Sequence, residues 1–225
     1  MPVAIITGAS RGLGFALASA LAEAGWRLVV DGRTLTGTPI AGEVVALAGD
    51  VTDPAHRADL IAAADALGGA DLLVNNAGIL GPSPQPALAD YPLAALRDVY
   101  EVNVHAPLAL TQLALPGLVE RAGAVVNITS DAAVEPYPGW GGYGSAKAAI
   151  EQVSRVLAAE VPTIRVWAVD PGDLRTRMHQ EAFPGEDISD RPLPETVAPA
   201  FVRLLADRPP SGRIRLADLA VAART

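Results

Sequence analysis

Short runs of Val, Ile, Leu and Ala recur along the chain, and most are apolar at successive positions rather than at every second one. A strand with one wet face alternates apolar and polar residues, so continuous runs mark strands covered on both faces. On that basis 3–7, 27–31, 44–48, 71–75, 124–129 and 164–169 are predicted to be strands. Between them the spacing changes to the helical one. In 13–24 the apolar positions are Leu13, Ala16, Leu17, Ala20, Leu21 and Ala24, and Gly25 ends the pattern. The stretch 56–67 starts behind Asp53-Pro54, an N-terminal capping residue followed by a proline. A longer helix over 93–115 is expected to kink at Pro107, which has no amide hydrogen to continue the ladder. Helices over 143–160, stopped by Pro162, and over 195–206 follow. A last short strand is expected at 213–217. The least regular stretch, 176–194, holds Phe183, Pro184, Gly185, Pro192 and Pro194 and reads as a lid or binding loop.

Strands and helices alternating in this way predict an α/β protein: a doubly wound parallel sheet of six or seven strands with helices on both faces and right-handed crossovers. Ligands of such sheets bind beyond the carboxyl ends of the strands, and there the chemically distinctive residues fall. Gly8-Ala9-Ser10-Arg11-Gly12-Leu13-Gly14 follows the first strand and opens the first helix. Glycines permit a tight turn and a close approach to a pyrophosphate, and the helix N-terminus adds unpaired amide donors. The spacing is G-x-x-x-G-x-G rather than G-x-G-x-x-G, so its position in a βαβ unit carries more weight than the glycines themselves. After the second strand comes Asp31-Gly32-Arg33. An acid there suits a ribose 2′-hydroxyl and an Arg suits a 2′-phosphate. Arg33 and Arg11 are two cations against one carboxylate, which favours NADP(H) while leaving NAD(H) possible. Asp50-Val51 after the third strand is placed to cap an adenine. Asn76-Ala77-Gly78 after the fourth is placed to approach a ribose closely, although Asn-Ala-Gly is also ordinary turn chemistry.

Composition narrows the reading further. The chain has 225 residues, enough for one large domain, and half of them are hydrophobic. Its 17 basic against 25 acidic residues give a net charge of −8, which disfavours nucleic acid as a partner. No cysteine is present, which removes disulfides, thiolate metal sites and cysteine nucleophiles. No apolar run approaching the ~20 residues of a membrane span is evident, and no basic segment precedes the first strand, so no membrane association and a cytoplasmic location are expected.

All the basic residues but one are arginine, and the exception is Lys147. Tyr143 and Lys147 stand at i and i+4, on one face of a predicted helix. A free phenol titrates near 10 and is a poor base at neutral pH. An ammonium within ~4 Å, at an effective dielectric of ~20, favours the phenolate by about 4 kcal/mol before desolvation. The pair therefore suits general acid–base work, whereas a tyrosine packed on a lysine stem is the ordinary structural alternative. Ser130 follows the fifth strand and can donate to an oxygen that Tyr143 protonates. His56, His105 and His179 are scattered, the Gly-x-Ser-x-Gly elbow is absent and no His-x-x-x-His pair occurs, so hydrolase and metalloenzyme readings lose ground.

With Thr7-Gly8-x-x-x-Gly12-x-Gly14, Asn75-Asn76-Ala77-Gly78, Ser130, Tyr143-x-x-x-Lys147 and Pro171-Gly172 in this order, the chain resembles the short-chain dehydrogenase/reductases over about 1–180. The resemblance implies a single Rossmann domain over 1–225 and a hydride transfer between a nicotinamide cofactor and a small carbonyl or alcohol substrate. It implies a catalytic tetrad of Asn103, Ser130, Tyr143 and Lys147. In it Tyr143 exchanges the proton and Ser130 positions the substrate oxygen. Lys147 binds nicotinamide ribose hydroxyls and lowers the pKa of the tyrosine, and Asn103 holds a water. It also implies that Pro171, Gly172, Leu174 and Thr176 wrap the nicotinamide, and that Gly8, Ser10, Arg11, Gly12, Leu13, Gly14, Arg33, Asp50, Val51, Asn76, Ala77 and Gly78 line the rest of the cofactor site. Two departures stand out. The acid of many NAD-using members lies one position later than Asp31, where Gly32 stands. The stretch 212–218 lacks the Asp-Gly-Gly ending of tetrameric relatives, so a homodimer through the helices at 93–115 and 143–160 is favoured over a tetramer. The wall of the substrate pocket is expected from Leu80, Asp131, Val134, Tyr137, Trp140 and Met178, with Asp131 better suited to capping a turn than to touching substrate. A non-catalytic NADP(H) sensor is the alternative.

Overall fold

Seven parallel strands run through the centre of the molecule in the order β3-β2-β1-β4-β5-β6-β7. The computed structural model describes residues 1–35 and 40–221. The strands are β1 (Val3–Ile6), β2 (Arg27–Gly32), β3 (Val44–Ala48), β4 (Leu72–Asn75), β5 (Ala124–Ile128), β6 (Arg165–Asp170) and β7 (Gly212–Arg215). Their order reverses direction between β1 and β4, which opens a crevice at the carboxyl ends where the crossovers part.

Alternate residues of each strand feed two cores, as the two-residue period of a strand requires. Ala4, Ile6, Leu28, Val30, Leu72 and Val74 pack on one side, under α1 (Gly12–Glu23) and α7 (Ala198–Asp207). Val3, Ile5, Val29, Leu73 and Val125 pack on the other, under α2 (Pro54–Ala66) and α4 (Ala106–Glu120). Both faces of the sheet are therefore dry, which is why the strands read as unbroken apolar runs. The caps follow the sequence as well. Asp53 accepts the Ala55 amide at the start of α2 at 2.9 Å, with Pro54 in the first turn, and Gly25, at φ +84°, follows the end of α1.

Three expectations need correction. The long helix is not one regular α-helix interrupted only at Pro107. It runs as α3 (Leu93–Tyr100), a π-helical turn at Glu101–His105, and α4, with Pro107 in the first turn of α4. In the widened turn the Ala106 amide pairs with the Glu101 carbonyl, five residues back, and Pro107, which has no amide to donate, follows directly. The same 93–120 stretch is, by length and composition, apolar enough to cross a membrane, contrary to the expectation that no segment is. Here its Leu110, Ala114 and Leu118 are buried in the second core. The last strand ends at Arg215, and Leu216–Val221 forms a helix, α8, because Leu216 turns back into the first core.

The segment 176–194 contains more order than its composition suggests. Thr176 caps α6 (Arg177–Ala182) by accepting the His179 amide at 3.1 Å. The Arg175 amide donates to the Pro192 carbonyl at 2.8 Å, and Ser83 Oγ donates to the Glu181 carbonyl at 2.6 Å. The loop is thus tied at its base and across the crevice. The fifth helix, α5 (Gly141–Glu160), starts two residues before the expected position and carries Tyr143 and Lys147 in its first two turns.

Candidate active site

The glycine loop is held in shape by its neighbours. Gly8 and Gly12 sit at φ +67° and +58°, which only glycine adopts freely. A Cβ on Gly8 would lie 2.8 Å from Ala77 Cα, and one on Gly14 would collide with the Asn76 amide and the Gly8 carbonyl. Asn76 Nδ2 donates to the Thr7 and Gly8 carbonyls at 2.8 and 3.1 Å, and Thr7 Oγ1 accepts the Asn76 and Ala77 amides at 3.0 Å each. Gly8–Gly14 and Asn76–Gly78 are therefore one interlocked structure. The N-terminus of α1 carries no side-chain cap and no acid in its first turn. Its amides and dipole stay available for an anion, and Arg11 is exposed beside them. This cradle fits a dinucleotide pyrophosphate.

Asp31 does not face that cradle as a free carboxylate. Its Oδ1 accepts the Gly8 amide at 2.6 Å and its Oδ2 pairs with His56 Nε2 at 3.1 Å, with both side chains buried. Burial holds the carboxyl above the ordinary carboxylate range, although the Gly8 amide and His56 pull it down. Asp31 thus fixes the first turn of the glycine loop. Arg33 and Asp50 are both exposed at the adjacent strand ends. The amide and hydroxyl of Thr52 hold the Asp50 carboxyl below its usual range, with Arg33 adding to that effect. Val51 is buried, and with Thr7, Asn75, Ala77, Val102 and Pro107 it lines a narrow crevice between β1, β3 and β4.

On the other side of the switch point, Lys147 is 5% exposed and its Nζ donates to the Ile128 carbonyl at 2.8 Å. A Cβ on Gly78 would lie 3.0 Å from Asn103 Oδ1 and 3.7 Å from Lys147 Nζ, so Gly78, Asn103 and Lys147 meet at one point. Asn103 lies in the π-turn and is 2% exposed. Its Oδ1 accepts the Ile79 amide at 2.9 Å and its Nδ2 donates to the Ile79 carbonyl at 2.8 Å. Both ends of the carboxamide engage Ile79, so the Asn103 side chain fixes the strand end, with one Nδ2 hydrogen and one Oδ1 lone pair left over.

Tyr143 is 8% exposed and packs with Leu80 and Ala132, with Trp140, Met178 and Ala182 against that cluster. Lys147 Nζ lies 5.5 Å from its ring centroid. In this state the lysine does not acidify the phenol. Burial pushes Tyr143 well above the ordinary tyrosine value, and the Asp131 and Asp170 carboxylates add to the rise. Burial also pushes Lys147 down to about 8. The spacing of four residues puts both groups on one helix face, and desolvation is the largest cause of each shift. Ser130 Oγ donates to Asp131 Oδ1 at 2.9 Å and accepts the Ala132 amide at 3.2 Å. Asp131 caps this short 3₁₀ turn and accepts the Tyr137 hydroxyl at 3.0 Å, so its turn role is observed.

The remaining expected residues converge on the same crevice. Gly172, at φ +76°, donates its amide to Asp170 Oδ1 at 2.9 Å, and Leu174 is buried. Thr176 Cγ2 would stand 3.7 Å from a Cβ on Gly12, so the Pro171–Thr176 loop reaches the glycine loop. Leu80, Trp140 and Met178 pack in one apolar cluster with Tyr143, whereas Val134 and Tyr137 are largely exposed. Phe183 and His179, not anticipated as wall residues, extend it: the ring centroids are 5.8 Å apart for Trp140–Phe183 and 4.9 Å for His179–Phe183. A cavity of about 170 Å³ opens among Asp131, Asp170, Gly172, Asp173, Arg215 and Ala217.

Fold and crevice together define a doubly wound α/β protein built to take a dinucleotide. Residues 2–187 match the family model for short chain dehydrogenase. The serine 3-dehydrogenase of Rhizobium radiobacter is 34% identical over 181 residues, 76% of this chain and 72% of that protein. The alcohol dehydrogenase of the archaeon Thermococcus sibiricus, solved with 5-hydroxy-NADP, superposes with a TM-score of 0.83 at 28% identity, over 96% of this chain and 95% of that one. The 3-ketoacyl-(acyl-carrier-protein) reductase of Brucella melitensis, solved with NADH, gives 0.85 at 27% identity, over 95% and 96%. The chain belongs to the short-chain dehydrogenase/reductase family, and so to a class of oxidoreductases that use nicotinamide cofactors.

The lowered Lys147 value has a consequence for stability. Between about pH 8 and its ordinary value near 10.4, the unfolded chain keeps a proton that the folded protein has released. Stability therefore rises with pH across that window, by up to about 3 kcal/mol from this group. Urea unfolding of the cofactor-free protein between pH 8 and 10 should show the rise, and Lys147→Met should remove it. A rise of equal size in the variant would assign it to another group.

Proposed function

We propose that the chain is an NADP(H)-dependent oxidoreductase that interconverts a carbonyl and an alcohol on a small molecule, with Tyr143 as general acid and base. The observation that carries this reading is the position of the single lysine. Lys147 is buried one helical turn from Tyr143, and its Nζ lies beside Gly78 at the strand ends that the glycine loop borders. When bound, the nicotinamide supplies or accepts the hydride at its C4. Everything else falls to the chain.

Gly8, Ser10, Arg11, Gly12, Leu13 and Gly14 hold the pyrophosphate, Asp50 and Val51 flank the adenine, and Asn76, Ala77 and Gly78 approach a ribose. Lys147 donates to ribose hydroxyls, and Pro171, Gly172, Leu174 and Thr176 cover the nicotinamide side. Ser130, its hydroxyl turned from Asp131 Oδ1, and Tyr143 donate to the substrate oxygen, and in carbonyl reduction the Tyr143 Oη proton passes to it as negative charge develops there. A phenol held above its ordinary value is fully protonated at neutral pH, the state reduction requires. Asn103 positions the Gly78–Ile79 backbone through its two hydrogen bonds to Ile79.

The preference for NADP(H) is supported by Asp31, whose two oxygens are spent on Gly8 and His56, while Arg11 and Arg33 face solvent. The aromatic wall of Trp140 and Phe183 supports a substrate with an apolar group beside its carbonyl. Exposed Leu113, Val119 and Val156 on α4 and α5 support a homodimer through those helices.

Two measurements test this reading. With NADPH and a panel of ketones and aldehydes, Tyr143→Phe should lower kcat by about 10²–10⁴-fold while NADPH fluorescence titration stays unchanged. Equal turnover in the two proteins would remove Tyr143 from the proton step. Arg33→Ala should weaken NADPH binding by roughly tenfold or more, the worth of a charge-assisted hydrogen bond, and NADH binding hardly at all. Equal losses would mean that Arg33 does not read the 2′-phosphate.

A further inference from the structure

Behind Ser130 lies an ion network that no step above uses. Arg213 extends from β7 across the carboxyl ends of β6 and β5. Its Nε donates to Glu151 Oε1 at 2.9 Å, and its Nη2 donates both to Asp170 Oδ2 at 2.8 Å and to the Ser130 carbonyl at 3.2 Å. The other oxygen of Asp170 accepts the Gly172 amide. Glu151, 2% exposed, also accepts the Thr129 hydroxyl at 2.8 Å and pairs with Arg155 at 3.0 Å. One guanidinium thus joins the residues on either side of the Thr129–Ser130 peptide, the turn into Pro171-Gly172, and α5 one turn beyond Lys147. A planar fork spans three acceptors in fixed directions, which a lysine ammonium does not reproduce.

We propose that Arg213 is a positioning residue of the Ser130–Tyr143 centre, fixing the Ser130 backbone and the Asp170–Gly172 turn on one guanidinium and cancelling a carboxylate charge that Tyr143 otherwise faces. The proposal rests on the proton role given above to Tyr143. The charged groups around that hydroxyl are Asp131 from the turn after β5, Asp170 from β6 and Lys147 from its own helix, with the Tyr91 phenol packed on Gly142. Around Asp170 stand Arg213, Glu151, Asp131, Asp173 and Arg215. Asp170 raises the Tyr143 value, so its counter-ion limits that rise. Removing Arg213 should push the tyrosine up, and removing the Asp170 charge should let it fall.

The experiment has two independent readouts. In the alcohol-oxidation direction with NADP, the pH at half-maximal kcat/KM should move up by roughly one unit or less in Arg213→Met and down in Asp170→Asn. The double variant should follow Asp170→Asn. Arg213→Lys should restore the pH profile but not the positioning. Positioning is read by hydrogen exchange: in Arg213→Met and Arg213→Lys the Ala132 and Gly172 amides should exchange about tenfold faster, the cost of about one hydrogen bond, while β1 and β4 stay unchanged. Unshifted profiles, shifts in one common direction, or unchanged exchange would each overturn the proposal. If Arg213→Met does not fold, Asp170→Asn and Arg213→Lys still decide, because both keep a cation beside Glu151. If the wild type turns over no carbonyl or alcohol, the proposed function fails, and the exchange arm still judges Arg213.

Discussion

A lysine ammonium buried at the carboxyl end of a parallel sheet is expensive, and the crevice is organised around it. Burial disfavours the charged form, and the Ile128 carbonyl at 2.8 Å is the acceptor that meets it. The other elements bear on the same point. The π-turn presents Asn103, which pins Ile79 and sets its Oδ1 against Gly78, where a Cβ would lie 3.0 Å away, with Nζ in ordinary contact at 3.7 Å. β5 supplies the carbonyl, and α5 carries the lysine and the tyrosine one turn apart. A group this poorly solvated gains from any ligand that brings hydroxyl acceptors, as the proposed ribose contact would.

The two ionisable groups of the pair are driven in opposite directions by the same cause. Burial lowers Lys147 and raises Tyr143, so both move toward their neutral forms when no cofactor is present. The phenol is therefore not acidified in advance. Two carboxylates, Asp131 and Asp170, raise the phenol further, and the protein manages them differently. Asp131 is consumed by a turn and by Tyr137, and Asp170 is neutralised by Arg213 and by the Gly172 amide. The same pattern recurs at the other end of the crevice, where Asp31 is spent on Gly8 and His56. In both places an acid that looks like a ligand in the sequence works as a brace.

Much of the fold was legible because its signals are local. Strands dry on both faces show continuous apolar runs, and Asp53-Pro54 and Gly25 punctuate helices by their own chemistry. All seven strands were anticipated to within a few residues, and the ends that shifted, at Leu216 and around 101–105, were set by tertiary packing and by a widened turn that no short pattern encodes. The grouping of Gly8–Gly14, Asn76–Gly78, Tyr143, Lys147 and Pro171–Thr176 at the strand ends was also legible, since the topology brings those ends together. What stayed hidden were long-range partners. Asp31 reads as a ribose ligand until His56, 25 residues on, is seen to hold it. Arg213 lies 62 residues from Glu151 and 43 from Asp170, and the acid directly before Pro171-Gly172 was its sole trace in the sequence. The spacing of Tyr143 and Lys147 reveals their attraction but not their depth, and burial of the phenol reverses the direction that attraction alone would give.

The chain's single lysine makes the central claim directly measurable. Selective ¹³C or ¹⁵N labelling of lysine gives a single side-chain signal, whose titration in the cofactor-free protein reports Lys147 and no other group. A midpoint near 8, moving upward when NADP is added, is the expected result. A midpoint near the ordinary lysine value of about 10.4, unchanged by NADP, would contradict the account.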